Sequence, residues 1–324
     1  MSNYSKHRIT ESPNYRSTDP PNHRSTESPV HRSTDPPNHR PTGSPTLSVV
    51  AISYNEEQDL PDFLKNLLPW VDEIVIVDDE STDQTARIAQ AAGEKVNFIV
   101  HKRTEEDGFA GQRNIGLQHA TSDWVLNMDI DERVSPQLKQ EMLQGICNTP
   151  LNAFRYKRLN FFLHRKMTAG GWDSWNNPQL ARRTHHYYVG KIHEHSVVEG
   201  APGTIGQLNG QMWHLNDNSY AERMRKSFQY CNLEADKLLE AGKRVSSLGI
   251  LVQPIREFIK KYVVKQGFRD GTAGLIAALH SACATFRTHA LVWDAQNRIS
   301  REQLEIDVNR LKPNDESRVI SSEK

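Results

Sequence analysis

Several features that define common protein classes are scarce in this sequence of 324 residues. The three cysteines, Cys147, Cys231 and Cys283, have no metal-ligand spacing, which disfavours a disulfide scaffold and a zinc finger. No stretch holds eighteen uninterrupted apolar residues, and the N-terminus lacks the apolar core of a signal peptide. Because 40 Lys and Arg balance 40 Asp and Glu, we expect no nucleic-acid partner held by bulk charge. A cytoplasmic globular protein is the default expectation.

The first 45 residues form a degenerate octapeptide array. The unit His7–Asn14 recurs as Tyr15–Asn22 and continues to Pro45, with one or two prolines in each unit and almost no apolar position to stack. Such a segment cannot bury enough surface to offset its loss of conformational entropy. We predict a disordered tail at 1–45; a multivalent peptide ligand or tether is the open alternative.

Strand and helix patterns alternate four times from Leu47 onward. Apolar, β-branched runs predict strands, and an amphipathic or capped segment follows each one. Ser81 and Gln84 have capping-box spacing, so the second helix is expected to open at Ser81. The predicted strands are Leu47–Ser53, Glu73–Val77, Val96–Val100 and Asp123–Met128, and the helices span 60–68, 81–93, 110–119 and 136–145. This order predicts an α/β fold with a mostly parallel central sheet, helices on both faces, and ligands at the carboxyl ends of the strands.

Acidic and polar residues follow three of the predicted strands, at 53–57, 78–83 and 129–131. The glycine pattern of a dinucleotide site and the P-loop are both missing from the sequence. Carboxylates repel a diphosphate, but they can hold one through a divalent cation. Asp129 and Asp131 lie two positions apart, so on an extended strand end they face the same side. That arrangement suits one hard cation; a solvated strand end or a helix cap is the alternative.

Four segments occur in a fixed order: VVAISYNEE at 49–57, VIVDDESTDQT at 75–85, GQRNIGL at 111–117 and MDIDE at 128–132. Together they resemble the nucleotide-sugar domain of family 2 glycosyltransferases, which have the GT-A fold. The resemblance is tight over Leu47–Ser135. To about residue 295 the chain is similar to the branch that includes lipopolysaccharide-core β-glucosyltransferases, through Gly171-Trp172, Lys191–Glu194 and the Gly-Phe-Arg-Asp-Gly segment at 267–271.

The resemblance implies roles for particular side chains. Residues implied to bind the donor nucleotide are Ser53, Asn55, Glu56, Asp79, Gln112, Arg113 and Asp129. A divalent cation, Mg²⁺ or Mn²⁺, is implied at Asp131, Asp129 and His214. Glu194 is the implied catalytic base, and Trp172, Trp175 and His193 are the implied acceptor or lid residues. The open alternatives are a helix cap for one of Asp78 and Asp79, a surface salt bridge for Arg113, and a core position for both tryptophans.

The segment after Pro254 has an apolar helical face and five cations against one acid, Glu257. This pattern fits an interfacial helix on an anionic membrane surface. A helical hairpin packed on the catalytic domain or between subunits is the alternative. The predicted domains are a tail at 1–45, a GT-A catalytic domain at 46–215 with donor and acceptor parts dividing at 135, a helical segment at 216–300 and a polar tail at 301–324.

The resemblance implies a metal-dependent, inverting transferase. It would move a hexose from a nucleoside-diphosphate sugar to a hydroxyl of a cell-envelope glycan or glycolipid, at the inner face of the plasma membrane. Two alternatives stay open: a polyprenyl-phosphate sugar transferase, and a non-catalytic scaffold that binds nucleotide.

Overall fold

A computed structural model describes residues 43–104, 106, 108–172, 178–190, 194–200, 203–217 and 219–311. The predicted disordered tail, up to residue 42, lies outside the described residues, as do Trp175 and His193.

Four parallel strands form one half of the main sheet, in the order β3-β2-β1-β4. They are β1 (Leu47–Ser53), β2 (Glu73–Asp78), β3 (Val96–Val100) and β4 (Trp124–Asn127). β1 lies between β2 and β4 and pairs in parallel with both. Each of these strands lies where the sequence predicts it, within two residues at either end, and the α/β prediction is confirmed.

Helices cover both faces of this half because successive side chains of a strand point to opposite sides. The helices are α1 (Leu60–Leu67), α2 (Thr85–Ala91), α3 (Gly108–His119) and α4 (Pro136–Gly145). Val49 and Ala51 belong to the core that α1, α2 and α4 cover, whereas Val50 belongs to the cluster under α3. A Cβ on Gly116 would overlap Cγ1 of Val50, so glycine lets α3 approach the sheet closely.

The predicted start of α2 at Ser81 is wrong. Ser81 donates its amide and its hydroxyl to the carboxylate of Asp78, at 2.7 and 2.6 Å. Asp83 accepts from the amide of Thr85 at 2.9 Å, and the helix begins there. The turn after β2 therefore uses Ser81 to close on the strand end, which leaves Ser81 unable to cap the helix.

The other half of the sheet is mixed. Its strands are β5 (Glu132–Val134), β6 (Ala153–Phe162), β7 (Arg165–Lys166), β8 (Leu180–Arg182) and β11 (Ile205–Asp217). The order continues from β4 as β8-β6-β11-β5, with β8 antiparallel to both of its neighbours. β9 (His186–Val189) and β10 (His195–Val198) form a separate antiparallel pair. The pairing of β11 with β5 sets His214 opposite Glu132, beside the loop that follows β4.

Helices follow β11, which runs to Asp217, two residues past the predicted domain boundary. They are α5 (Tyr220–Glu240), α6 (Ser247–Phe258), a π-helical segment (Ile259–Val264), a 3₁₀ turn (Gly267–Asp270), α7 (Gly271–Asn297) and α8 (Arg301–Leu311). α5 and α6 both pack along α7. The predicted polar tail thus opens as a helix. Among the helices that the structure describes, none is both long enough and apolar enough to cross a bilayer.

Candidate functional site

A cleft of about 430 Å³ lies at the carboxyl ends of the parallel strands, where the sequence predicts the ligands. The loop after β1 forms one wall, and the first turns of α5 form the opposite wall. Charged side chains that line the cleft are Glu56 and Asp59 from the first wall, Asp131 from the loop after β4, and Glu222, Arg225 and Lys226 from α5.

Arg113 joins two of the predicted site residues. It is buried in α3, its Nη2 lies 2.7 Å from Oδ1 of Asp129, and its Nε lies 3.3 Å from Oε1 of Glu194. Burial works to lower the pKa of Arg113, but Asp129, Tyr188 and Glu194 raise it overall, so the guanidinium stays charged. Its Nη1 is buried and has no hydrogen-bond partner among the described residues. A buried cationic donor without an acceptor is suited to an anionic ligand.

A second arginine, Arg158 on β6, completes this cluster. Its Nη2 lies 3.4 Å from Oδ2 of Asp129, and its Nε lies 2.6 Å from Oε1 of the fully buried Glu132. The contact with Glu132 is an ion pair whose geometry is not that of a directional hydrogen bond. Burial works to raise the pKa of Asp129, but Arg113 and Arg158 hold it well below its usual range. We call Arg113, Asp129, Glu132, Arg158 and Glu194 the guanidinium side of the site.

Asp131 has different neighbours. Its Oδ2 lies 3.3 Å from Nε2 of His214, and Nδ1 of His214 lies 2.8 Å from Oδ1 of Asn160. The amide nitrogen of Asn160 donates to the carbonyl of Trp172 at 2.7 Å. Because the Asn160 oxygen accepts at Nδ1, the proton sits there and Nε2 is directed at Asp131. Burial works to lower the pKa of His214, but its hydrogen bond to Asp131 and the charge of that carboxylate raise it overall.

Negative charge accumulates around Asp131. Burial, together with the charges of Asp131 and Asp59, raises the pKa of Glu56 to about 8. We call Glu56, Asp59, Asp131 and His214 the carboxylate side of the site. Such a concentration of acidic groups in a cleft favours binding of a cation.

A divalent cation fits the carboxylate side when the substrate supplies part of its coordination. Within the part of the chain that the structure describes, no three His, Cys, Asp or Glu side chains form a metal cluster. Asp131 and His214 nevertheless converge, with one oxygen and one imidazole nitrogen donor. Mg²⁺ in proteins is commonly bound by one or two carboxylates plus phosphate oxygens and water. Asp129, also predicted as a ligand, directs its oxygens at Arg113 and Arg158 in this structure.

Asp78 and Asp79 have different partners. Asp78 is buried and accepts from the hydroxyl of Ser53 at 2.6 Å. Asp79 accepts from the amide of Arg103 at 2.6 Å and lies 3.4 Å from its Nε, while the Arg103 guanidinium covers the ring of Phe109. Asp78 therefore organises the turn, and Asp79 faces a cation beside an aromatic ring.

Other predicted donor residues hold loops in place. Asn55, with a positive φ of 56°, accepts from the amide of Thr82 at 2.8 Å. Gln112 is buried and donates to the carbonyl of His101 at 3.1 Å. Asn55 thus joins the loops after β1 and β2, Ser53 joins the ends of those two strands, and Gln112 joins α3 to the segment after β3.

On the acceptor side, Glu194 directly precedes β10, and Asn114 of α3 holds the neighbouring strand by two hydrogen bonds to the backbone of Tyr188, at 2.9 and 2.8 Å. Trp172 packs against Phe162, with ring centroids 5.7 Å apart, and against α7. Trp175 and His193 are outside the described residues, so their predicted roles stay predictions.

Sequence reasoning missed four cations of the site: Arg103, Arg158, Arg225 and Lys226. Arg158 could have been found, since Tyr156, Arg158 and Asn160 alternate along a strand and share one face. Arg225 and Lys226 stand on α5, in a segment assigned to a separate helical region. Their placement on the cleft depends on long-range packing that no local pattern carries.

In a comparison with known protein families, residues 48–196 match the family Glycosyl transferase family 2. The lipopolysaccharide core biosynthesis glycosyltransferase LpsC of Rhizobium meliloti (strain 1021) is 29% identical over 253 residues, which cover 76% of this chain and 92% of that protein. The uncharacterized glycosyltransferase RT0209 of Rickettsia typhi is 26% identical over 74% of this chain and 84% of its own length. Among solved structures, S. aureus TarS 1-349 in complex with UDP-GlcNAc is 15% identical, with a TM-score of 0.42 over 78% of this chain and 91% of that chain. That last likeness is too distant to bear on function.

The family match spans the four parallel strands apart from Leu47, the carboxylates at their ends, β9, Glu194 and the first two residues of β10. Residues 48–196 therefore form a family 2 glycosyltransferase domain with the GT-A fold, and the chain that carries it is similar over 76% of its length to a lipopolysaccharide core glycosyltransferase.

Proposed function

We propose that this enzyme is a metal-dependent, inverting hexosyltransferase. It would move a hexose from a nucleoside-diphosphate sugar to a hydroxyl of a cell-envelope glycan or glycolipid, such as a lipopolysaccharide core. The observation that carries the proposal is the contact of one buried guanidinium, Arg113, with both Asp129 and Glu194 beside the Asp131–His214 pair. The similarity to LpsC supports the acceptor class.

The donor would lie across the carboxyl ends of β1, β2 and β4. In this proposal Asp79 binds the nucleobase of the donor, and the loop of Asn55 and Glu56 shapes the same pocket. The buried Nη1 of Arg113, which has no partner among the described residues, donates to the diphosphate. Arg225 and Lys226 line the cleft and add positive charge opposite the acidic loop.

Asp131 and His214 would hold a divalent cation, Mg²⁺ or Mn²⁺, whose charge neutralises the diphosphate and stabilises it as a leaving group. Asn160 fixes the ring of His214, as outer partners of metal-binding histidines commonly do. The paired state of Asp129 supports a role in orienting Arg113. A direct contact of Asp129 with cation or ribose stays a prediction.

Glu194 is the proposed base. Its carboxylate takes the proton of the acceptor hydroxyl while that oxygen attacks the anomeric carbon in line with the departing diphosphate. One carbon–oxygen bond forms and one breaks, so a single displacement inverts the anomeric centre. Arg113 holds Glu194 by the 3.3 Å contact, which sets the base beside the phosphate-binding guanidinium.

Nucleotide binding tests the donor site. We expect one nucleoside diphosphate, from a panel of UDP, GDP and dTDP, to raise the melting temperature of the purified chain only when Mn²⁺ is present, by mass action on the folded state. Asp131→Asn should abolish the Mn²⁺-dependent part of the shift. Asp236→Asn, on an exposed position of α5, is the matched control and should keep it. A folded protein that responds to no diphosphate would contradict the proposal.

Replacement of the base tests the acceptor chemistry. We expect Glu194→Gln to lower transfer of the sugar from a radiolabelled nucleotide sugar to a truncated lipopolysaccharide core by roughly 10²-fold or more. The reason is that no carboxylate then takes the proton of the attacking hydroxyl. The diphosphate-induced shift in melting temperature should persist. Glu199→Gln, exposed just after β10, is the control and should transfer normally. Unchanged transfer in Glu194→Gln would favour a phosphate acceptor, which needs little base catalysis.

A further inference from the structure

The helix α6 and the π-helical segment after it expose their apolar face. All twelve residues of α6 are described, and none of them is buried. Leu248 is 68% exposed and Ile255 50%, and the same face continues into the π-helical segment, where Val263 is 55% exposed. The spacing of these residues is helical, so they form one continuous stripe. The members of this stripe, here called the apolar stripe, are Leu248, Leu251, Val252, Ile255, Ile259 and Val263.

Cations border the apolar stripe. Arg256, Lys260, Lys265 and Arg269 are all exposed, and the segment 247–269 holds five Lys and Arg against a single acid, Glu257. That acid already lies 3.3 Å from Nζ of Lys260. An exposed apolar stripe with basic flanks is the pattern of a helix that lies in the plane of an anionic membrane interface.

A second copy of this chain fits the same face less well. A two-fold symmetric interface would place the stripe of one copy against the stripe of the other, and their basic flanks would then approach each other. With one acid for five cations, such an interface would leave like charges adjacent. Anionic lipid headgroups supply the opposite charge, while the acyl chains accept the apolar side chains.

The segment that carries the stripe is tied directly to the acceptor side of the enzyme. The carbonyl of Lys265 accepts from the amide of Gly170 at 2.8 Å. The carboxylate of Asp270 accepts from the amides of Thr168 and Ala169, at 3.0 and 2.9 Å. The loop that leads to Trp172 is therefore anchored to the end of the exposed segment.

We propose that the apolar stripe and its cations dock the enzyme on an anionic lipid bilayer, with the loop of Trp172 next to the membrane. The bilayer contact stands on exposure and charge alone. The functional consequence of this contact would be delivery of a lipid-borne acceptor to Glu194, and that consequence rests on the proposed function.

Vesicle binding tests the proposal with the full chain. We expect cosedimentation with vesicles of phosphatidylcholine plus phosphatidylglycerol, little with phosphatidylcholine alone, and weakening by salt. Ile255→Asp/Ile259→Asp should abolish binding. Arg256→Gln/Lys260→Gln/Lys265→Gln should weaken it on the order of a hundredfold, at roughly fivefold for each cation. The control is Leu304→Asp/Val308→Asp, an equal double change at the same spacing on exposed α8, and it should bind as the wild type does.

Each outcome decides the proposal. Equal binding to both vesicles, no binding, or unchanged binding in the Ile255/Ile259 variant would overturn it. It would also be overturned if that variant only converted a dimer to a monomer in sedimentation equilibrium, which would identify the face as an interface between copies. The nucleoside-diphosphate melting shift, measured on the same samples, reports folding and the donor site. If the wild type fails to bind vesicles but shows the melting shift, this inference alone is rejected. If it binds vesicles but shows no melting shift, the proposed function alone is rejected.

Discussion

Asp129 and Asp131 are two residues apart, yet their surroundings have opposite charge. Asp129 lies between two guanidiniums, those of Arg113 and Arg158, and its pKa is held well below the usual range although burial opposes this. Asp131 meets the imidazole of His214 and lies among acidic groups, of which Glu56 has its pKa raised to about 8, by burial first and by Asp131 next.

The difference shows how one acidic motif can serve two purposes. On the guanidinium side the charges are neutralised within the protein, so this side can hold Arg113 in position before any ligand arrives. On the carboxylate side the negative charges are neutralised less completely, and a bound cation would complete their neutralisation. Each side can therefore be disturbed by substitution while the other stays intact.

The largest effect should come from the guanidinium side. Arg158→Met leaves the fully buried Glu132 without its guanidinium, and breaking a buried ion pair in this way costs about 3–5 kcal/mol. We expect that loss in the free energy of unfolding, measured by urea denaturation.

The double variant Arg158→Met/Glu132→Leu is the control for this prediction. Removing both charges removes the unpaired carboxylate, so the double variant should recover most of the lost stability. If the single and double variants were equally destabilised, loss of packing would explain the result and the ion pair would not.

A smaller effect is expected from the outer partner of His214. Asn160→Ala removes the hydrogen-bond acceptor of His214 Nδ1 and frees the imidazole ring to rotate. Loss of a residue that orients a metal-binding histidine typically lowers metal affinity by about 10- to 100-fold. We expect that decrease in the affinity for Mn²⁺, titrated by calorimetry in the presence of the nucleoside diphosphate that binds.

Asn66→Ala is the matched control for Asn160. Asn66 is partly buried and, like Asn160, hydrogen-bonded to backbone, but its side-chain bonds go to Val134 and not to His214. Its replacement should lower stability and leave the Mn²⁺ affinity unchanged. An equal loss of affinity in both variants would show that general loosening, and not the orientation of His214, controls the metal site.

Local patterns in the sequence predict the donor half of the fold well. β1, β2 and β4 are buried and apolar, and a helix follows each strand from β1 to β3, so neighbouring residues determine both element type and strand-end position. The capping-box prediction failed at Ser81 because Asp78 competes for the same serine through the fold. A spacing rule contains no information about that competitor.

The charge balance of the site could not be predicted from the motif. Arg158 reaches Asp129 from β6, 29 positions along the chain, and Asn160 reaches His214 across 54 positions. Strand pairing in the mixed half of the sheet determines both contacts. The C-terminal segment shows the same limit: the sequence predicts its apolar face, and only tertiary packing shows that this face is exposed.

The smallest effect should be a pH dependence on the carboxylate side. The pKa of Glu56 is about 8 in the folded protein against an ordinary value of 4.5, so the folded state binds the proton more tightly and loses stability as pH rises between these values. From pH 6.5 to 8.5 the loss should be about 1–2 kcal/mol in urea denaturation without metal. Glu56→Gln cannot ionise and should lack this loss, whereas Glu57→Gln, at the exposed neighbour, should keep the wild-type slope. A parallel pH profile for wild type and Glu56→Gln would show that the carboxylate side is already neutralised, and the contrast with the guanidinium side would then disappear.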